Sequence, residues 1–162
     1  ISNVYTGDDL ILSMVDDGEI PVASHKVENN GVGAMVDKID NRQLFDCEKT
    51  IALADRGCFH ASVQTEDFYI GTRVKALEMK CCVSKGVLIF IATIVNQETF
   101  KYSYGRNCTA GVENVRIKLP VKHNDDGIIF IDDEHTYSDE GYVPDWQFME
   151  DYIKSLPYGD RL

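Results

Sequence analysis

The stretch Phe68-Tyr69-Ile70-Gly71-Thr72-Arg73-Val74-Lys75-Ala76 decides the fold class. Its residues alternate with a period of two, so that Phe68, Ile70, Thr72, Val74 and Ala76 share one side of an extended chain and Tyr69, Arg73 and Lys75 the other. This predicts a strand with one buried face and one basic, aromatic face. Upstream, turn signals cut the chain into short apolar runs. Leu10 to Val15 and Ile20 to Ala23 flank Asp16-Asp17-Gly18, which predicts an opening hairpin. Asn29-Asn30-Gly31 predicts a second turn, and Arg56-Gly57 closes the apolar stretch Ile51 to Ala54.

Downstream, the stretch Val87 to Gln97 carries apolar residues at 87, 88, 91, 94 and 95, the spacing of one helical face. Its β-branched content leaves strand as the competing assignment, with helix preferred. Val115, Ile117, Leu119 and Val121 alternate with Arg116 and Lys118 and predict a strand, with Pro120 marking an edge or an exit. Ile128 to Ile131 predicts another short strand after the Asp126-Gly127 turn. Asp145 is a good N-cap for a helix whose Trp146, Met149, Ile153 and Leu156 recur on one face and which Pro157 ends. The fold class is α+β: a strand-rich body with few helices. No linker composition and no internal repeat divides residues 1–162, so they read as a single domain.

With 162 residues, 44% of them hydrophobic, the chain is long enough to build its own core. Its longest apolar run, Gly86 to Val95, is about half the roughly 20 residues a membrane-spanning helix needs. The first residues, Ile1-Ser2-Asn3-Val4, lack the basic and apolar regions of a secretory signal, so a cytoplasmic setting and no membrane partner are expected. Five cysteines without a C-x-x-C pair read as reduced structural thiols, and four scattered histidines offer no metal-binding spacing. No metal and no cofactor is expected. Motifs for a nucleophilic serine, a phosphate loop and a dinucleotide fold are all missing, and acid pairs such as Asp8-Asp9 and Asp125-Asp126 read as turn residues. The expectation is a non-catalytic binding module.

Charge sharpens that expectation. The chain carries 27 acids against 16 Lys and Arg, a net of −11 that argues against a polyanionic partner. The excess is unevenly placed. Residues 68–110 hold six basic residues against two acids, a net of +4, leaving −15 for the rest; residues 111–162 alone hold twelve acids against five bases. A basic strip interleaved with tyrosine can face phosphates while the acids lie elsewhere. The plain alternative is a solvated strand face beside an acidic tail.

Several segments taken together resemble a known family. Gly18-Glu19-Ile20-Pro21-Val22-Ala23-Ser24, Glu28-Asn29-Asn30-Gly31-Val32 and Phe68-Tyr69 are similar to the target recognition domain of type I restriction-modification specificity subunits. Phe100-Lys101-Tyr102-Ser103-Tyr104-Gly105-Arg106, Ile117-Lys118-Leu119-Pro120-Val121 and the run from Pro144-Asp145-Trp146 to Ser155-Leu156-Pro157-Tyr158 resemble the specificity domains of fused type II restriction-methylation enzymes. The resemblance spans nearly the whole chain in the family's order. It departs at an acidic insert, residues 125–142, and at Asn107-Cys108-Thr109. It implies a twisted, partly barrel-like sheet with a few flanking helices that reads double-stranded DNA without catalysis. It further implies partnership with an N6-adenine methyltransferase and often a nuclease, and a second recognition domain or homodimer for the other half of the target. The chain then reads as one such domain, excised or acting as a half-subunit.

DNA reading needs donors and acceptors at base edges and cations at phosphates. Ser24, His25, Lys26, Asn29 and Asn30 fit the first need, with Asn29 and Asn30 equally well explained as turn formers. Lys101, Tyr102, Tyr104 and Arg106 form a second group, for which core packing of the tyrosines and pairing of Arg106 with a carboxylate are the alternatives. Arg73 and Lys75 suit phosphates, with Arg42 and Arg56 as adjuncts. Trp146, Phe148, Met149, Tyr152 and Ile153 read as packing or as docking on a methyltransferase. An acidic protein-interaction or assembly module remains the second functional reading.

Overall fold

The structure, a computed structural model, describes residues 1–102, 105–108 and 111–161. A four-stranded antiparallel sheet has the order β1 (Ser2–Thr6), β7 (Val74–Met79), β4 (Thr50–Ala54) and β5 (His60–Val63). A smaller sheet places β2 (Asp17–Ala23) between β3 (Val32–Val36), antiparallel to it, and β6 (Tyr69–Ile70), parallel to it. The helices are α1 (Lys85–Gln97) and α2 (Trp146–Ser155). This is an α+β architecture. Among the described residues the strands form two sheets and no closed barrel, an arrangement compatible with the expected α+β fold.

Burial along β4 shows how the layers stack. All five of its residues are buried because both faces of the strand are covered. Ile51 and Leu53 pack with Val87, Leu88 and Ile91 of α1, while Ala52 packs with Phe45, Phe68 and Ile70 from the smaller sheet's side. The four-stranded sheet is thus the middle layer. Ser84 caps α1, its Oγ accepting from the Val87 amide, and the apolar spacing read from sequence becomes the buried face. Asp145 caps α2 as predicted, Oδ1 accepting from the Phe148 amide at 2.9 Å, and Met149 and Ile153 turn inward. α2 lies on α1, where the Phe90 and Tyr152 rings meet edge to face at 5.6 Å.

The stretch that decides the fold class is half right. Phe68, Ile70, Val74 and Ala76 do share one apolar cluster. The run is nevertheless two strands in two sheets, because Gly71-Thr72-Arg73 breaks it and Arg73 adopts a left-handed backbone with φ 67°. The predicted basic, aromatic face does not exist as a surface: Tyr69 and Lys75 are buried. Tyr69 joins Val22 and Val36, and its hydroxyl accepts from the Ile39 amide at 3.1 Å.

Three other expectations are corrected. Leu10 to Val15 is not a strand; it holds one turn of tight helix at Leu12–Met14, and Leu10 and Val15 pack against the Val22 cluster as loop residues. The partner of β2 is β3, across the Asn29–Gly31 turn. Val115, Ile117 and Leu119 line the helix-side core as an extended segment without a strand partner, and their alternation reports that one-sided burial. Ile128 to Ile131 makes only isolated bridges, His123 with Ile129 and Ile131 with Tyr142. Residues 120–145 form a narrow ribbon of three short arms. Its rungs include Lys122 N–H to Val143 O, Phe130 N–H to Lys122 O and Asp132 N–H to Gly141 O.

Candidate nucleic-acid interface

One end of the four-stranded sheet gathers several of the predicted contact residues. β4 ends at Ala54 opposite Val74, so the turn that follows β4 lies beside Arg73 at the start of β7. The Asp55 amide donates to the Arg73 carbonyl at 3.2 Å, and the Cys108 amide donates to the Asp55 carbonyl at 3.2 Å. The loop after β2 reaches the same turn: the Cys58 thiol donates to the His25 carbonyl at 3.2 Å. Burial, then the charge of Glu28, pushes that thiol upward and keeps it in its protonated, donating form. Residues 24–28, 55–58, 73 and 105–108, far apart in sequence, thereby meet at one edge.

Within that assembly the predicted residues divide. His25, Lys26, Arg73 and Arg106 are exposed. Ser24 is committed to the turn, its hydroxyl donating to the Gly31 carbonyl at 3.0 Å. Asn29 and Asn30 both take left-handed backbones, φ 50° and 51°, which asparagine tolerates better than most residues. The Asn30 side chain donates to the Val63 carbonyl at 2.8 Å, and Gln64 donates to the Asn30 carbonyl. The turn is therefore stapled to β5, and the two asparagines form it.

The second group divides likewise. Tyr102 packs on Phe59, ring centroids 4.4 Å apart, against the helix-side core. A hydrogen bond to the Cys108 thiol and then burial push its hydroxyl up to about 12. It belongs to the scaffold. Lys101 is half exposed but ion-paired with Glu98, and its Nζ lies 5.5 Å from the Phe100 ring centroid. Tyr104 lies outside the described residues.

Lys75 is a correction with a physical reason. At 8% exposure it sits below the surface, its Nζ donating to Thr6 Oγ1 at 2.8 Å and lying 3.7 Å from Asp55 Oδ2. Its partner Asp55 is 1% exposed, with neither carboxylate oxygen hydrogen-bonded among the described residues. The lysine is held as the counter-charge of a buried acid, so it does not reach phosphate. Arg42 is likewise internal in role, donating to the carbonyls of Asp8 and Ile70 at 3.0 and 2.6 Å.

Arg56 and Asn107 are more central than the sequence indicated. Both border the edge beside Arg73, and Asn107 Oδ1 accepts from the Gly57 amide at 3.1 Å. The signal available for Arg56 was its place next to a turn glycine; for Asn107 it was its place beside Gly105 and Arg106.

A possible metal set, Asp46, Cys47 and Asp67, has another explanation. Asp67 Oδ1 accepts from the Cys47 amide and Asp46 Oδ1 from the Glu48 amide, so both carboxylates cap turns. Burial and the neighbouring acids push the Cys47 thiol up, away from the thiolate that binds metal. Among the described residues no helix is long and apolar enough to cross a membrane.

The fold is a small α+β domain with cations gathered at one end of a sheet. The chain matches no protein-family profile. It is similar to the Type II restriction enzyme BgcI specificity subunit of Heyndrickxia coagulans, 25% identical over 138 residues. The match covers 84% of this chain and 35% of that relative, so the chain spans about a third of the length of the protein it resembles.

Proposed function

We propose that this chain is a non-catalytic target recognition domain of a restriction-modification system, reading double-stranded DNA. The observation that carries the reading is the meeting of His25, Lys26, Arg56, Arg73 and Arg106 at one sheet end, in a chain that aligns over most of its length with a specificity subunit. Phosphate contact fixes register while loop side chains read bases. In this reading His25 and Lys26, on a loop pinned by Cys58 and the Asn30 staple, read bases, and the arginines contact the backbone. In this reading the domain serves an N6-adenine methyltransferase, with or without a nuclease, in the cytoplasm, and a second copy or second domain reads the other half-site.

The net charge of −11 makes isolated binding weak and confined to low salt. Electrophoresis of a duplex carrying the system's methylated motif is expected to show a shift that salt abolishes. Lys26→Ala combined with Arg106→Ala is expected to weaken it about fivefold. A chain that shifts no duplex at low salt, even with its partner subunit present, does not have this function.

The second reading, a protein-assembly module, is favoured by the ribbon at residues 120–145. Ile128, Ile129, Phe130 and Ile131 are consecutive and all exposed, from 65% at Ile128 to 37% at Phe130. A run of that kind on a surface marks a binding site when it is built into ordered backbone. Here it is: Asp132 caps the amides of Glu134 and Thr136, and the arms share a ladder. Seven acids against one lysine surround it in residues 121–144, which repels DNA and a second copy alike and fits an apolar groove edged by Lys and Arg. Ile1, at the Met79 end of β7, borders the ribbon's base, so the ribbon springs from the sheet end opposite Arg73. We assign this element to the methyltransferase partner. Ile128→Asp with Phe130→Asp is expected to abolish co-elution with that subunit in gel filtration and to leave the DNA shift intact. Co-elution that persists in the double variant refutes it.

A further inference from the structure

The ribbon begins as a ladder that one arm leaves early. Asp145 N–H donates to the Pro120 carbonyl at 2.9 Å and Lys122 N–H to the Val143 carbonyl at 2.8 Å, the two bonds that flank the antiparallel bridge of Val121 with Pro144. Pro120 and Lys122 therefore point their main-chain groups at the returning arm. In an extended chain residues two apart point the same way, so Lys118 and Arg116 present theirs along the same edge. The returning arm does not follow, because Asp145 caps α2 and the chain turns into that helix at Trp146. Among the described residues, no backbone N–H or C=O of residues 116–119 makes a hydrogen bond.

That open edge is one wall of a groove of about 590 Å³, a size usual for a specific ligand site. Tyr137 to Glu140 and Tyr142 form the facing wall, and Ile1 and Pro144 also line it. We propose that this groove takes an extended segment of a partner protein, which adds a strand to the open edge; the reading rests on the assignment of the ribbon to a protein partner. Residues 116–119 make ~13 Å of extended chain, so a short segment completes the ladder. Strand addition takes affinity from main-chain pairs and selectivity from side-chain pockets. A pocket adjoins the groove. Ile1, Val115 and Ile117 line both the groove and a second, mostly apolar cavity of about 170 Å³ that reaches Leu77, Ile91 and Val95 in the helix-side core. An apolar cavity of ~150 Å³ holds one benzene ring, so this one has room for a large apolar side chain of the incoming segment.

Charge selects the segment. Arg116 is met by Asp139 of the facing wall, 3.3 Å away, and Glu140 stands beside it. Residues 115–144 carry three bases against seven acids, a net of −4, so the field at the groove is negative. The incoming residues that point away from the apolar pocket are therefore Lys or Arg, alternating with apolar ones. The same acids repel a duplex, which in any case offers no row of N–H and C=O groups at strand spacing. A second copy of this chain meets like charge.

The test uses the intact protein and a short fluorescent peptide in which leucine alternates with lysine. Two further peptides of that sequence are N-methylated on the backbone, one at the leucines and one at the lysines, which blocks one edge or the other. Lys118→Pro removes an edge donor, whereas Lys118→Ala removes the same charge and keeps the backbone. Fluorescence anisotropy is expected to show saturable binding of the plain peptide, with NMR shifts at the amides of residues 116 and 118. One methylated peptide is expected to bind about tenfold more weakly and the other as before, a comparison that needs no variant to fold. Affinity is expected to fall about tenfold in Lys118→Pro and to stay within about twofold in Lys118→Ala. Equal binding of all three peptides, full binding by a folded Lys118→Pro, or a wild type that binds none of them overturns strand addition. A dimer in gel filtration that Lys118→Pro converts to monomer gives the groove to a second copy and overturns the partner. Peptide binding of the expected pattern without co-elution of the methyltransferase subunit keeps the groove and sinks the ribbon's assignment. Co-elution that Ile128→Asp with Phe130→Asp abolishes, in a protein that binds no peptide, keeps that assignment and overturns the groove.

Discussion

Replacing Lys75 by methionine is expected to destabilise the domain by about 3 to 5 kcal/mol, although it removes no surface contact and preserves most of the side chain's apolar stem. The ammonium sits 3.7 Å from a carboxylate that is 1% exposed and accepts no hydrogen bond among the described residues. At that burial the pair together adds little net stability, because both ions gave up hydration to be there. Removing one partner is another matter: the buried Asp55 carboxyl is left without its counter-charge. Asp55 is also a junction, its amide and carbonyl bonded to Arg73 and to Cys108, so the strain falls on those two segments. Denaturant melts of Lys75→Met, Asp55→Asn and the double variant measure this. The double variant is expected to recover much of the loss, a coupling above about 1 kcal/mol. A Lys75→Met protein within about 1 kcal/mol of wild type shows that the pair carries no such burden.

The same lysine marks the boundary of what the sequence made legible. Period-two alternation assigned Phe68, Ile70, Val74 and Ala76 to one apolar cluster correctly. It assigned Lys75 to solvent because alternation tells sides and not depth: a strand between two neighbours and under a helix has no wet side. The partner that makes burial tolerable, Asp55, is twenty residues away and no local pattern points to it. The helices were readable for the opposite reason. Ser84 and Asp145 cap them locally, and the apolar spacing of α1 and α2 is set within each segment. Asn29 and Asn30 were readable as a turn, but that the turn is stapled to Val63 and Gln64 depends on the packing of one sheet against the other. β1 was missed because its five residues carry no marked alternation; it exists through its pairing with β7.

The candidate site follows the same division. Arg73 was named from the alternating strand and Arg106 from the segment Lys101 to Arg106, and both are exposed at the sheet end. Arg56 was an adjunct and Asn107 a departure from the family pattern, yet the fold sets both beside Arg73. Charge density along the chain finds cations, whereas which cations converge is settled by the register of β4 against β7, where Ala54 meets Val74. Tyr102 shows the converse: its neighbours in sequence suggested a contact group, but Phe59 and Cys108 draw it into the core.

Arg73 itself offers the sharpest separation of fold from function, because its backbone and its side chain make opposite demands. A left-handed conformation at φ 67° costs an arginine on the order of 1 kcal/mol, a cost glycine escapes. Arg73→Gly also frees the unfolded chain, which offsets part of that relief. The expected result is stability unchanged or raised by up to about 1 kcal/mol, where a surface arginine in ordinary strand geometry would lose stability on the same change. Duplex affinity at low salt is expected to move the other way, falling more than tenfold, about 1.4 kcal/mol or more, since the sheet end loses an exposed cation. Thermal melts and salt-dependent binding on the same preparation read both. A glycine variant that is markedly less stable and binds as before means that the Arg73 side chain holds the fold and the strained backbone serves no contact with DNA. A variant that is stable and binds weakly means that the domain tolerates an unfavourable conformation at this position because the guanidinium is needed there.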